Sequence, residues 1–226
     1  MLGGMSWESS AEYYRLANEL VRERVGGLAS ARVLLHSVDF AAVERLQAES
    51  RWDEAGELLA TAAAGLEAGG ADLLLLCTNT MHKVADAVER AVSIPLLHIG
   101  DVTAAAVRAR GLSRVGLLAT AYTMEQPFLR ERLATHGLTV LVPEAEDRAL
   151  VHRVIYEELC LGIVSDESRQ AYREVIGRLV AAGAEGIILG CTEIELLVDQ
   201  SDSAVPVFPT TRLHVAAAVT AALATD

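Results

Sequence analysis

The sequence predicts an α/β fold made of two pseudo-symmetric lobes, each a mainly parallel four-stranded sheet flanked by helices. Three observations predict it. Apolar runs of strand length alternate with helical patterns and no hairpin turn separates them, which implies parallel pairing with helices on both sheet faces. The order of elements repeats once along the chain. Hydrophobic residues make up 52% of the 226 residues while only 4% are aromatic, the composition of Ala-, Val- and Leu-rich helices packed on strands.

In chain order, only Met1 and Leu2 precede Gly3-Gly4-Met5-Ser6-Trp7, so the first strand is expected to be nearly absent or shortened. Helical periodicity then covers Ser10–Val25, and an apolar run marks a strand at Arg32–Ser37. A helix over Trp52–Ala68, a strand at Asp72–Leu76, a helix over Met81–Ala91 and a strand at Ile94–His98 complete the first half. The second half reads as helix Val102–Arg110, strand Arg114–Ala119, helix Met124–His136 and strand Leu138–Val142. Helices Asp147–Leu161 and Glu167–Ala182, strands Gly186–Gly190 and Val205–Phe208, and helix Thr211–Leu223 follow. The expected lobes are 1–98 and 99–209, with the C-terminal helix 210–226 packing back on the first.

The repeat is explicit in residues. Glu67-Ala-Gly-Gly-Ala-Asp-Leu-Leu-Leu-Leu-Cys77-Thr78 matches Val180-Ala-Ala-Gly-Ala-Glu-Gly-Ile-Ile-Leu-Gly-Cys191-Thr192. Each copy ends a helix in Gly-Ala, adds an acidic residue, runs an apolar strand and stops at Cys-Thr. Ile94-Pro95-Leu96-Leu97 likewise matches Val205-Pro206-Val207-Phe208, and the Leu2–Ser9 opening matches Leu117–Thr123, where Thr123 is a candidate N-cap. Ligands in open α/β sheets sit at strand carboxyl ends, which is where Cys77 and Cys191 fall.

Composition excludes several functions. A net charge of −12 opposes a sequence-independent grip on nucleic acid or acidic lipid. No apolar run approaches the ~20 residues of a membrane span. No basic, then apolar, leader opens the chain, so a cytoplasmic location is expected. Three cysteines without CxxC spacing read as free thiols rather than a disulfide framework, a zinc site or a redox dithiol. His82 stands alone near Cys77, so no metal is expected.

A thiol at a strand's carboxyl end, followed by a helix start, meets free N–H groups and the positive end of a helix dipole. This setting is expected to lower its pKa. The same N–H groups, with Thr and Asn side chains, suit a carboxylate. Two such bases facing one substrate suit racemisation, which removes a proton from one face of a carbon and returns one to the other. Buried structural cysteines are the competing reading. Cys160, between Leu159 and Leu161 in a predicted helix, reads as a small apolar core residue.

Gly3–Ser9, Cys77-Thr78-Asn79-Thr80-Met81-His82, Thr120-Ala-Tyr-Thr123-Met124, Ile155-Tyr156-Glu157-Glu158-Leu159 with Gly162, and Gly190-Cys191-Thr192-Glu193 together resemble the aspartate/glutamate racemase superfamily, nearest its broad-specificity amino acid racemase subgroup. The resemblance implies an amino acid racemase without pyridoxal phosphate, metal or other cofactor. It implies that Cys191 deprotonates the L-enantiomer and Cys77 the D-enantiomer. Asn79, Thr80 and Thr192 would hold the α-carboxylate with backbone N–H groups, and Thr78 and Glu193 belong to the same two turns. The resemblance places the active site in a cleft between the two lobes, which Met5, Ser6, Thr120 and Thr123 would line, and Gln47 would meet the substrate's side chain or ammonium. A homodimer is implied as well. Aspartate-selective members place a Lys shortly after the helix ending at Gly162, but Ile163-Val164-Ser165-Asp166 holds none. That leaves Arg45 and Arg51 as the nearest cations in sequence for a distal carboxylate. A decarboxylase or maleate-type isomerase using the same cysteines, and a non-catalytic amino acid binding protein, are the alternatives.

Overall fold

The computed structural model describes residues 1–224. It divides into two units: Met1–Ile99 with the chain from His214 onward, and Gly100–Leu213. The last two residues of the expected 210–226 helix lie outside the described residues. Among the described residues no helix is long and apolar enough to cross a membrane.

The first unit runs β1 (Leu2–Gly3), α1 (Trp7–Val25), β2 (His36–Ser37), α2 (Phe40–Ala48), α3 (Trp52–Ala68), β3 (Leu74–Leu75), a 3-10 turn (Thr80–Val84), α4 (Ala85–Ala91) and β4 (Leu96–Leu97). β1 pairs in parallel with β2 and β3 with β4, and a parallel bridge between Leu2 and Leu76 links the pairs in the order β2-β1-β3-β4. Alternation along β3 sets the two faces. Leu74 and Leu76 pack with Leu59, Ala63 and Leu66 of α3 and Val88 of α4. Leu75 and Cys77 face Tyr13, Leu16 and Ala17 of α1 and Val215, Ala218 and Val219.

In the second unit, α5 (Ile99–Ala109), whose first residue still belongs to the first unit, leads to β5 (Arg114–Leu118), α6 (Ala121–Glu125), α7 (Pro127–Thr135) and β6 (Thr139–Leu141). α8 (Ala145–Glu157), α9 (Asp166–Ala181), β7 (Gly186–Leu189), α10 (Ile194–Leu197), β8 (Val207–Pro209) and α11 (Thr210–Leu223) follow, α11 passing into the first unit at His214. The sheet is parallel throughout, in the order β6-β5-β7-β8. Both units therefore order their strands second, first, third, fourth, and the repeat read in residues is a repeat of topology.

Several boundaries differ from the sequence expectation for identifiable reasons. The first strand forms despite its length, because Leu2 is fully buried between β2 and Leu76. The Arg32–Ser37 strand shrinks to the exposed edge pair His36–Ser37, since an edge strand has neighbours on one side alone. α1 begins at Trp7 because Ser6 caps it, accepting from the Ser9 N–H. Met124–His136 breaks at Pro127, which cannot follow a helical residue: Gln126 is extended and Pro127 opens α7. The Asp147–Leu161 helix stops at Glu157, so Cys160 lies on a separate 3-10 turn that Gly162 closes at φ 74°, and it packs partly buried against the core. α2 is a helix that the sequence pattern does not mark separately.

Candidate active site

In the first unit Cys77 follows β3, and its N–H donates to the Leu2 carbonyl at 2.9 Å. This sets the thiol beside the loop that leaves β1. Gly3 and Gly4 build that loop. A Cβ on Gly3 would lie 2.3 Å from Ser10 Oγ, and one on Gly4, at φ +91°, would lie 2.3 Å from the Val38 carbonyl. Ser10 Oγ accepts from the Gly4 N–H at 2.7 Å and donates to the Ser6 carbonyl at 3.0 Å. The Met5–Ser6 peptide is cis. Met5 and Ser6 are buried, Met5 within the same apolar cluster as Val43 and Met81.

After the thiol the chain turns tightly through Thr78, half-buried, and Asn79 and Thr80, both buried. Gln47 is 3% exposed on α2 and its Nε2 donates to Met81 Sδ at 2.8 Å. A thioether is a weak acceptor, so this buried amide keeps hydrogen-bonding capacity next to the turn. Arg45 is exposed, and Arg51 is exposed and paired with Glu49 and Glu54. Neither is placed as the cation the sequence suggested for a distal carboxylate.

In the second unit the Gly190 N–H donates to the Leu118 carbonyl at 2.7 Å, which seats Cys191 beside the loop leaving β5. That loop is capped by Thr120, whose Oγ1 accepts from the Thr123 N–H and lies 3.3 Å from Thr123 Oγ1. Cys191 Sγ donates to Glu193 Oε2 at 2.9 Å. Thr192 Oγ1 is 3.1 Å from Thr211 Oγ1. The predicted residues divide between the units: Met5, Ser6, Gln47, Cys77, Thr78, Asn79 and Thr80 belong to the first, and Thr120, Thr123, Cys191, Thr192 and Glu193 to the second.

The thiols are not acidified as expected. Burial pushes Cys77 up to about 12. Cys191 is raised well above the ordinary thiol value, first by burial and then by the Glu193 carboxylate. Local structure explains the correction. A 3-10 turn follows Cys77 and a four-residue helix follows Cys191, so neither sulfur meets a long helix dipole, and desolvation dominates. Among the described residues no group of three or more His, Cys, Asp or Glu is arranged to hold a metal ion.

Sequence reading misses Thr211, His98 and His214. Thr211 and His98 follow the last strand of each half, where the match of Ile94–Leu97 with Val205–Phe208 could direct attention. His82, which reads as solitary, is in ring contact with His98 and His214 at centroid distances of 4.5 and 5.9 Å.

Comparison with known proteins agrees with this architecture. A Yersinia pestis crystal structure, of a protein provisionally assigned as an Asp/Glu racemase, superposes with a TM-score of 0.93 and 54% identity, covering 98% of this chain and 97% of that one. An aspartate racemase homologue from Pyrococcus horikoshii OT3 gives a TM-score of 0.86 and 33% identity, covering 100% and 97%. The glutamate racemase of Roseiflexus sp. (strain RS-1) is 35% identical over 151 residues, 66% of this chain and 54% of that protein. The model of the Asp/Glu/Hydantoin racemase family matches residues 2–218. With the strand order, the paired loops and the two strand-end cysteines in place, the chain belongs to the Asp/Glu/hydantoin racemase family.

Proposed function

We propose that this chain is a cofactor-independent amino acid racemase in which Cys77 and Cys191 remove and return the Cα proton. The observation that carries this reading is the repeated placement of a buried thiol. Each cysteine lies two residues past the third strand of its unit, beside the loop leaving the first.

Raised thiol pKa values suit the chemistry. The Cα proton of an amino acid is very weakly acidic, and a thiolate formed where water is excluded is a stronger base than one in water. Glu193 is the acceptor already hydrogen-bonded to Cys191. In the L-to-D direction, Glu193 takes the Cys191 proton and the thiolate takes the Cα proton. The Cys77 thiol then delivers its proton to the opposite face. That leaves Cys77 as the thiolate and Glu193 protonated, and the D-to-L direction is the same sequence run backwards: the Cys77 thiolate takes the Cα proton, the Cys191 thiol delivers its proton to the opposite face, and Glu193 returns its proton to Cys191. Asn79, Thr80 and Thr192, with the N–H groups of their turns, hold the α-carboxylate and stabilise the charge that develops on it. Glu193 would repel a carboxylate, so its place in binding is with the substrate ammonium.

The substrate side chain need not be acidic. Gln47 offers a neutral amide, Arg45 and Arg51 are exposed, and residues 163–166 carry no Lys. A cytoplasmic homodimer completes the proposal. The test is a chiral screen of L- and D-amino acids with purified protein, no added cofactor and D2O as solvent. Racemisation with deuterium entering Cα is expected. Cys77→Ser and Cys191→Ser should each lower turnover by about 10²-fold or more with Tm unchanged, and a double variant as fast as the parent would sink the mechanism.

A further inference from the structure

We propose that His82 is a positioning residue that holds the turn after Cys77 in its carboxylate-binding shape; the assignment rests on the function proposed above. His82 is 3% exposed, and both ring nitrogens make contacts with fixed direction. The Ile99 N–H donates to Nε2 at 3.2 Å. A backbone amide cannot accept, so Nε2 carries no proton. Nδ1 therefore bears the ring hydrogen and donates it to the Thr78 carbonyl, 2.7 Å away. The imidazole is held neutral, as one defined tautomer.

The geometry explains why the group is an imidazole. Thr78 directly follows the thiol and opens the turn that holds Asn79 and Thr80, and its carbonyl meets the ring. Ile99 opens α5, whose first N–H has no acceptor within its own helix. One rigid ring spans the two, tying the turn to the residue at which the chain leaves the first unit. The His98 and His214 rings pack against it at 4.5 and 5.9 Å, and His214 is itself locked between the Tyr13 hydroxyl at 2.9 Å and the Leu97 carbonyl at 2.7 Å. The clamp therefore has little room to tilt. Donors aimed at a carboxylate lose effect when displaced by about 1 Å, which costs on the order of 10²-fold in rate.

Three variants and one spectrum test this. His82→Phe keeps the ring packing and removes both hydrogen bonds. His82→Asn keeps a donor near the Nδ1 position, and His82→Gln restores an acceptor near Nε2. The Phe variant should lose about 10- to 10²-fold in kcat/KM, equally for both enantiomers, and Asn should recover most of the loss at a comparable Tm. Nitrogen-15 NMR of the histidine-labelled parent should show His82 as the neutral Nδ1–H tautomer at pH 7, which needs no variant to fold. A Phe variant with parental kcat/KM, an Asn variant no better than Phe or Gln at equal Tm, or an Nε2–H or doubly protonated ring overturns the assignment alone. A parent that racemises no amino acid overturns the proposed function and this assignment with it.

Discussion

Glu193 lies 2.9 Å from the Cys191 sulfur, and its charge affects that thiol in two opposed ways. It disfavours the thiolate by repulsion, yet in the proposed mechanism it takes the thiol's proton. Glu193→Gln separates the two. Cys191 should then react with iodoacetamide at lower pH than in the parent, while racemisation falls by about 10- to 10²-fold. Unchanged alkylation and unchanged turnover would together show that the pair has no role. A second residue, His214, governs acid stability. Burial, with His98 as a further cause, lowers its pKa from 6.5 to about 4. The folded state favours the neutral ring, so this stabilisation is complete above about 6.5 and is lost as the pH falls from there towards about 4. One pKa unit is worth ~1.4 kcal/mol, so the full effect is on the order of 3 kcal/mol. Denaturant midpoints should fall between pH 7 and pH 5, and His214→Gln should flatten that dependence; an equally steep fall in the variant would assign it to other groups.

At the scale of elements, the two loops beside the cysteines depend on different devices. The first needs glycine at Gly4, where φ is +91° and a Cβ would lie 2.3 Å from the Val38 carbonyl. Gly70 has the same φ, but an added methyl there would meet nothing within 4 Å. Gly70→Ala should therefore cost about 1 kcal/mol from the left-handed backbone alone, while Gly4→Ala should cost several times more, on the order of 3 kcal/mol, read from urea midpoints. Equal losses would mean the loop yields to the added methyl. The second loop uses Thr120 as its cap, not Thr123 as the sequence suggested: Thr123 lies within α6 and its N–H donates to the Thr120 hydroxyl, so the capping residue comes one turn earlier than the pattern indicates. Helices read well from periodicity because each buries one face. Strands read too long, since the apolar runs at Arg32–Ser37 and Asp72–Leu76 pair over two residues each. The Cys-Thr repeat located both thiols, but their protonation did not follow, because pattern marks a strand end without showing that it is dry. Thr211, His98 and His214 escaped notice because their partners, Thr192, His82 and Tyr13, are distant in sequence.

Across the whole molecule, one topology is built twice with unequal reinforcement. In the second unit β5 and β7 pair over four residues, Val115–Leu118 against Gly186–Leu189, and both lie inside the sheet with strands on either side. One continuous apolar cluster covers them. In the first unit the paired strands are two residues long, joined through a single bridge at Leu2 and Leu76, and the apolar residues divide into separate clusters on the two sheet faces. Local opening costs least where few buried contacts and few backbone hydrogen bonds must break together. Native-state hydrogen exchange should therefore find the β5 and β7 amides exchanging slowest and those of the exposed edge strand β2 fastest. The Cys77 amide, bonded to Leu2, should exchange faster than the Gly190 amide bonded to Leu118. An amino acid that racemises should slow the Cys77 turn more than the Cys191 turn, since the less reinforced strand end has more opening to lose on binding. Equal protection of the two turns in the free protein, measured by mass spectrometry of overlapping peptides, would show that the short pairing of the first sheet is offset by the packing of its helices.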